Sequence, residues 1–300
     1  MNFLLLSDIH GTDKIPVSRT DNAFEAFNSK FQFALNYAKL NQCIILQAGD
    51  LSDSSRNWFM LDYYLEMLNK YQVIMCCVFG QHDMYYRSSP METPSTMLTL
   101  IKSSYVIPLG AKPFRSGNVN IYGANWGDDI PKAYKGEFNI LVLHSPITLK
   151  REWSGQNFIH PKRFLRKHPE YRLVLVGDIH RKFIYSYKYK YVVNTGPMLR
   201  LEANEYNMKH KPCFFVYDEI MAEIDEVEIP HESADKVLTR EHIDKNKMNK
   251  EELKLFISNL QNLEPIKDKR RKQISKYIRE NINNSRVKKL IRSIINETRG

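Results

Sequence analysis

No apolar run in this 300-residue chain approaches the roughly 18 residues that a membrane helix needs. The apolar start at residues 3–6, FLLL, is too short for a signal-peptide core and runs straight into Asp8. Cysteine is scarce: Cys43, Cys76, Cys77 and Cys213 show no CxxC spacing, and three of them sit inside apolar runs. That argues against zinc ligation or a disulfide framework and for core thiols in a reducing, cytoplasmic setting. Lysine and arginine are missing from residues 218–232, which hold seven acids, and glycine is missing from residues 233–299. Net charge is missing from residues 1–235, where 26 basic and 26 acidic side chains cancel.

What is present begins with bulk: 43% apolar residues suffice for one large domain plus appendages. The formal charge of +10 sits entirely in residues 236–300, which carry 18 Lys and Arg against 8 Asp and Glu. A second basic stretch, residues 150–190, holds 11 basic and 3 acidic residues. Such stretches are often solvated faces, but together they suggest a polyanionic partner.

Strand-like runs occur at 3–6, 43–46, 73–79, 119–122, 138–143 and 173–176. Helical patterns separate several of them, at 22–40, 57–70, 95–103 and 161–168. The first carries Ala23, Phe24, Phe27, Phe31, Ala34, Leu35 and Ala38 on one face. Strands alternating with helices imply an α/β sheet covered on both sides, with ligands at the carboxyl ends of the strands. Residues 184–191, IYSYKYKY, read as one half-covered strand with Tyr185, Tyr187, Tyr189 and Tyr191 on a shared face; base-stacking aromatics are the alternative. Residues 212–218 and 223–229 read as an antiparallel pair, and 249–260, 266–280 and 286–297 as helices. In the last, Val287, Leu290, Ile291, Ile294 and Ile295 form an apolar stripe. Such a stripe suits docking on a partner, packing on its own domain, or lying on a membrane surface.

The chemistry-bearing residues collect at strand ends. FLLLSDIH at residues 3–10 and LVLVGDIH at 173–180 repeat one pattern 170 positions apart, ending in Asp8 with His10 and Asp178 with His180. In an extended chain residues i and i+2 share a side, so each pair is expected to aim a carboxylate and an imidazole at one point, half of a metal site. Gly49-Asp50, Gly80-Gln81-His82-Asp83 and His144 close three other strands.

These five motifs, in this order and spacing, resemble the calcineurin-like metallophosphoesterases over roughly residues 1–196. The resemblance implies a four-layer αββα sandwich around two divalent metals. Asp8, His10 and His180 would hold one metal, Asp50 would bridge both, and Gln81, His144 and Asp178 would hold the second. His82, with Asp83 behind it, would stand beside the scissile phosphate and protonate the leaving oxygen. Gln81 stands where the family usually has Asn, and Asp178 where it usually has His. The added carboxylate favours Mn²⁺, with Mg²⁺, Fe²⁺ and Zn²⁺ as alternatives.

Within that family the chain is similar to SbcD-type nuclease subunits of double-strand-break repair, including phage-encoded ones. The points of similarity are the polar loop after Asp83, the ILVLH strand, residues 193–200 (VNTGPMLR) and the basic tail. Asp53 departs from the His often found there. The resemblance implies a nuclease core over 1–196, a small β-rich capping domain over 197–232 and a basic helical tail over 233–300. The tail would meet an SbcC-type ABC ATPase, DNA, or both. It further implies a homodimer in the cytoplasm (a host's, if phage-encoded), no membrane, and DNA contacts from Tyr85, Tyr86, Arg87, Arg181 and Lys182. The alternatives are a phosphodiesterase or phosphatase on a small nucleotide or phosphoprotein, and a non-catalytic DNA-binding scaffold.

Overall fold

The computed structural model of the chain describes residues 2–87, 93–241 and 243, with 254, 276–280, 282, 285, 288 and 289. It divides into two compact units, Met1–His242 and Ile243–Gly300. In the second unit residues 276–280 are helical. The apolar stripe from Val287 to Ile295 and the helices expected at 249–260 and 286–297 lie largely outside the described residues.

The first unit is built on two six-stranded sheets. The first has the order β12 (Glu223–Glu228), β11 (Cys213–Asp218), β1 (Asn2–Leu6), β2 (Ile44–Gln47), β3 (Met75–Cys77), β4 (Ile107–Pro108). The second has the order β5 (Phe114–Ser116), β6 (Val119–Ala124), β7 (Phe138–His144), β8 (Leu173–Gly177), β10 (Lys190–Asn194), β9 (Phe183–Tyr187). β1 to β4 are mutually parallel, as are β6, β7, β8 and β10. β1 shows why its sequence is a continuous apolar run. Phe3 and Leu5 enter the core between the sheets, while Leu4 and Leu6 face the helical layer. Each such side chain contributes about 1.5–3 kcal/mol on burial.

Helices α1 (Ala23–Leu40), α2 (Trp58–Tyr71) and α3 (Thr96–Lys102) cover the first sheet, and α4 (Pro161–Lys167) packs with the outer face of the second. The layers are therefore α, β, β, α, as expected. Asn22 and Asn57 start α1 and α2 by accepting backbone N–H bonds at Phe24, Glu25 and Met60.

Three sequence readings change in detail. Residues 184–191 are not one strand: Lys188 and Tyr189, at φ of 50° and 59°, turn β9 into β10. Two consecutive positive φ angles make the tight turn that matches strand twist, so the four tyrosines do not share one unbroken strand. Residues 197–232, expected as a small capping domain, place β11 against β1 inside the first sheet, in the same compact unit as the core. Two short strands, β4 and β5, escaped the sequence reading; β4 is a two-residue edge that contains Pro108.

One buried charge stands out on α1. Lys30 is 3% exposed, and burial, reinforced by Arg19 and Arg200, pushes its ammonium down to about 7, although Asp21 pulls the other way. The folded chain therefore binds fewer protons than the unfolded one between about pH 7 and 10.5, and stability should rise with pH across that window. Lys30→Met should raise Tm most at or below pH 7, with the gain shrinking toward pH 10 in thermal melts. A gain that does not vary with pH would contradict this account.

Candidate metal centre

The ends of β1, β2, β7 and β8 and the segment after β3 bring the expected ligand types to one point. Asp8 Oδ1 and His10 Nε2 lie 3.7 and 3.0 Å from His180 Nε2. Asp50 Oδ2 lies 3.7 Å from His10 Nε2 and 3.4 Å from His144 Nε2, so a single carboxylate oxygen faces both halves of the cluster. His144 Nε2 is 4.0 Å from Asp178 Oδ1, to which Gln81 Nε2 donates at 3.3 Å. All seven expected ligands thus lie in one connected cluster; the sets of three close enough to share an ion are Asp8, His10 and His180, then His10, Asp50 and His82, then Asp8, Asp50 and His144, so His82 also stands within ligand range.

The side chains reach this point by a route that strand alternation does not describe. β1 ends at Leu6, and Asp8, His10, Asp50 and Asp178 all have positive φ, at 50°, 48°, 54° and 95°. Aspartate and histidine tolerate the left-handed region better than most residues, but each such position costs on the order of 1–3 kcal/mol. The turns swing each side chain off its strand axis and into the crevice. Backbone bonds then lock the turns together: His10 N and Gly11 N donate to Asp50 O and Leu51 O, each at 2.9 Å.

Several neighbours leave no room for anything larger. A Cβ at Gly80 would come within 2.1 Å of Asp50 Oδ1, and one at Gly177 within 2.2 Å of Ala48 O. Gln47, fully buried, clamps Gly49 by accepting from its N–H at 3.0 Å and donating to its C=O at 2.6 Å. His144 Nδ1 donates to Ala48 O at 2.7 Å, which fixes the tautomer and turns Nε2 toward the cluster. Asn194 donates to Ile179 O and accepts from Ser7 Oγ, tying the loop before His180 to the residue before Asp8.

The electrostatics ask for cations. Asp8 Oδ2, Asp50 Oδ2, Gln81 Oε1 and His144 Nε2 are buried with no hydrogen-bond partner, an expensive condition for groups with nothing to coordinate. Burial pushes the Asp8 and Asp178 carboxyls up, with Asp50 adding to the repulsion in both. Burial, followed by His180, pushes His10 down to about 3, which keeps it neutral as a ligand must be. Burial opposes charge on His144 as well, but its contact with Asp50 outweighs this and raises it to about 10. Asp50 in turn is drawn down to about 2 against its own burial. The donor set, three carboxylates, three imidazoles and an amide oxygen, fits two divalent cations of intermediate hardness.

His82 stands at the exposed edge of the cluster, its ring centroid 5.0 Å from that of His10. Its partner is the Asp53 carbonyl, which accepts from Nδ1 at 2.9 Å and leaves Nε2 for a reacting group. Asp83 has a different task from the one expected. Its buried carboxylate accepts from the N–H groups of Gly80, Leu51 and Ser52, joining the Asp50 turn to the Gly80 turn. Burial, then the charge of Asp50, raises Asp83 to about 7. Gln47 and Asn194 were missed as site residues, and Asp53 was noted only as a departure from the nuclease pattern; the polar Gln47 at a buried strand end was a usable signal.

The residues expected to touch DNA are more scattered. Tyr85 lies under the Arg56 guanidinium at 3.5 Å, and Tyr86 is 86% exposed beside it. The side chain of Arg87 lies outside the described residues. Arg181 Nε donates to Glu152 Oε2 at 2.7 Å, and Lys182 Nζ pairs with Glu226 at 2.5 Å, so both already have carboxylate partners.

The family model for calcineurin-like phosphoesterases matches residues 1–182. Among solved structures, TT1561 of Thermus thermophilus is similar at 13% identity and a TM-score of 0.47, covering 76% of this chain and 99% of that one. An archaeal phosphodiesterase is similar at 13% identity and 0.43, covering 76% and 100%. Vacuolar protein sorting 29 from Cryptosporidium parvum is similar at 15% identity and 0.35, covering 75% and 95%. No curated protein matches the chain by sequence.

Saturating Mn²⁺ should raise Tm by about 5 °C or more in differential scanning fluorimetry, since about 2.7 kcal/mol per ion follows at a hundredfold excess over Kd. Asp50→Asn should lose more than half of that rise. An unchanged rise in the variant would show that the ions bind elsewhere.

Proposed function

This chain belongs to the calcineurin-like phosphoesterase family, and from that premise we propose that it is a Mn²⁺-dependent DNA nuclease of the SbcD type. The observation that carries the hydrolytic reading is the convergence of seven candidate ligands around Asp50 Oδ2, five of their buried atoms without a hydrogen bond, with His82 alongside. The observation that carries the substrate class is the excess of ten positive charges in residues 236–300, which a small-molecule phosphatase does not need.

Asp8, His10 and His180 would hold one ion and Gln81, His144 and Asp178 the other, with Asp50 between. Bound there, the ions would neutralise phosphoryl oxygens and make an attacking water acidic near neutral pH. The chain's own residues do the rest. His82, held through Nδ1 by the Asp53 carbonyl, presents Nε2 to the departing oxygen and donates a proton to it as general acid. Asp83 positions rather than reacts: it keeps the Asp50 and Gly80 turns in register. Gln81 uses its amide N–H on Asp178 and keeps its oxygen free for the ion.

The basic tail would meet DNA or an ABC ATPase partner, and the active form would be a cytoplasmic homodimer. A second reading is favoured by one observation: Arg181 and Lys182 are already paired with acids, which leaves the flank of the cleft less basic than a dedicated DNA groove. That reading is a phosphodiesterase acting on a small nucleotide.

Purified protein with Mn²⁺ should cut single-stranded and linear duplex DNA, with no cutting in EDTA. His82→Ala should lower kcat by about 10²- to 10⁴-fold while keeping the Mn²⁺-induced rise in Tm. Turnover of a small phosphodiester without DNA cleavage would support the second reading. If neither substrate turned over and the Mn²⁺ effect were absent, a non-catalytic scaffold would be the better description.

A further inference from the structure

The cleft that holds the metal-ligand cluster is longer than a phosphate needs. It encloses about 490 Å³ and is lined by His10, His82, Asp178 and His180 of the cluster and by residues of different character. Among these are Trp153, Ile179, Pro197, Leu199, Leu201 and Asn207, with Glu152 and Arg181 also in the lining. Ile179 and Leu199 are buried, whereas Trp153 is 58% exposed.

The segment that carries Trp153 is held by its own hydrogen bonds. It is clipped at the base by Thr148 N donating to Ile159 O and Ile159 N donating to Pro146 O. Within it, Gln156 Oε1 accepts from Glu152 N at 2.7 Å, and the Glu152 carboxylate accepts from Arg181 Nε at 2.7 Å. Arg181 follows the ligand His180 and lies 4.2 Å over the ring of Tyr206, whose chain neighbour is Asn207. One series of contacts therefore ties the segment that carries Trp153 to the residue after His180 and to the residue before Asn207. Asn207 commits its N–H to Asn204 Oδ1 and its Nδ2 to Glu202 O. Its Oδ1 is left buried and without a partner, although the side chain lines the cleft.

An exposed indole and aliphatic side chains in one lining, with one unspent acceptor and the metal-ligand cluster in the same cleft, match one ligand chemistry: a flat heteroaromatic ring bearing N–H donors and joined to a phosphate. We propose that this part of the cleft is a nucleobase subsite, in which the base attached to the scissile phosphate leaves its stack and lies against Trp153. The proposal deepens the nuclease reading and rests on it for the strand, but the base contact itself is separable from DNA cleavage. It also gives Arg181 a role other than phosphate binding: with Glu152 it is a positioning residue that sets the distance between base and metals.

Two measurements test this. The first is binding without catalysis, read as tryptophan fluorescence of the full chain in EDTA. Adenosine, which carries no phosphate to meet the bare carboxylates, should quench saturably and ribose should not, and the quenching should disappear in Trp153→Phe, which keeps Trp58 and Trp126. Equal quenching by the sugar, or quenching that survives in the variant, would overturn the subsite. The second is kinetic, on a single-stranded oligonucleotide. Base stacking of this kind predicts a rise in KM on the order of 10-fold in Trp153→Ala with a much smaller fall in kcat. A tetrahydrofuran abasic residue at the cleaved position should abolish that difference between wild type and variant. A fall confined to kcat, or an equal effect on the abasic strand, would count against the base contact. Quenching that obeys the prediction in a protein that cuts no DNA would keep the subsite and remove the nuclease reading. DNA cleavage without the predicted quenching would do the reverse.

Discussion

Asp50 Oδ2 is the atom on which the site depends. It is fully buried, accepts no hydrogen bond, and sits within 3.7 Å of two imidazole nitrogens that arrive from different sheets. A carboxylate in that position is tolerable only with positive charge on both sides. In the bare protein the 3.4 Å contact with Asp50 raises the His144 pKa, which favours a compensating charge on one side only. Divalent cations would supply it better, and they would also satisfy Asp8, Gln81 and His144 at once. The surrounding framework serves that arrangement: left-handed backbone at four ligands, glycines where a Cβ would strike Asp50 or Ala48, and Asp83 binding the two turns from behind.

The two departures from the common family pattern make sense together. Gln81 and Asp178 touch: the longer amide reaches across and donates to the carboxylate that replaces an imidazole. Asparagine, one methylene shorter, would reach less far. Aspartate without an N–H donor beside it would add another uncompensated charge to a crevice that already raises the pKa of Asp178. The pair is a local exchange of donors and acceptors.

Much of this was legible in the chain itself. The helix at 23–40 follows from its apolar periodicity, and the strands from short runs buried on both faces. Asp8, His10, Asp178 and His180 stood out because aspartate and histidine recur at strand ends, where open α/β sheets keep their sites, whereas the full set, Gln81 included, was what the resemblance to the family implied. What could not be read was the backbone that aims them. Positive φ at Asp8 and Asp178 is set by contacts between turns 170 residues apart, such as Asp178 N donating to Asp8 Oδ1. Nor could the pairing of β11 with β1 be read, because the first strand's antiparallel neighbour comes some 200 residues later. The hairpin at Lys188-Tyr189 defeated the alternation argument since neither residue is glycine or asparagine.

The most direct test of the central claim is anomalous diffraction from crystals grown with Mn²⁺. The account predicts two peaks per chain, about 3.5–4 Å apart, with Asp50 Oδ2 between them and Gln81 Oε1 on the second. A single peak, or two that do not share Asp50, would contradict it.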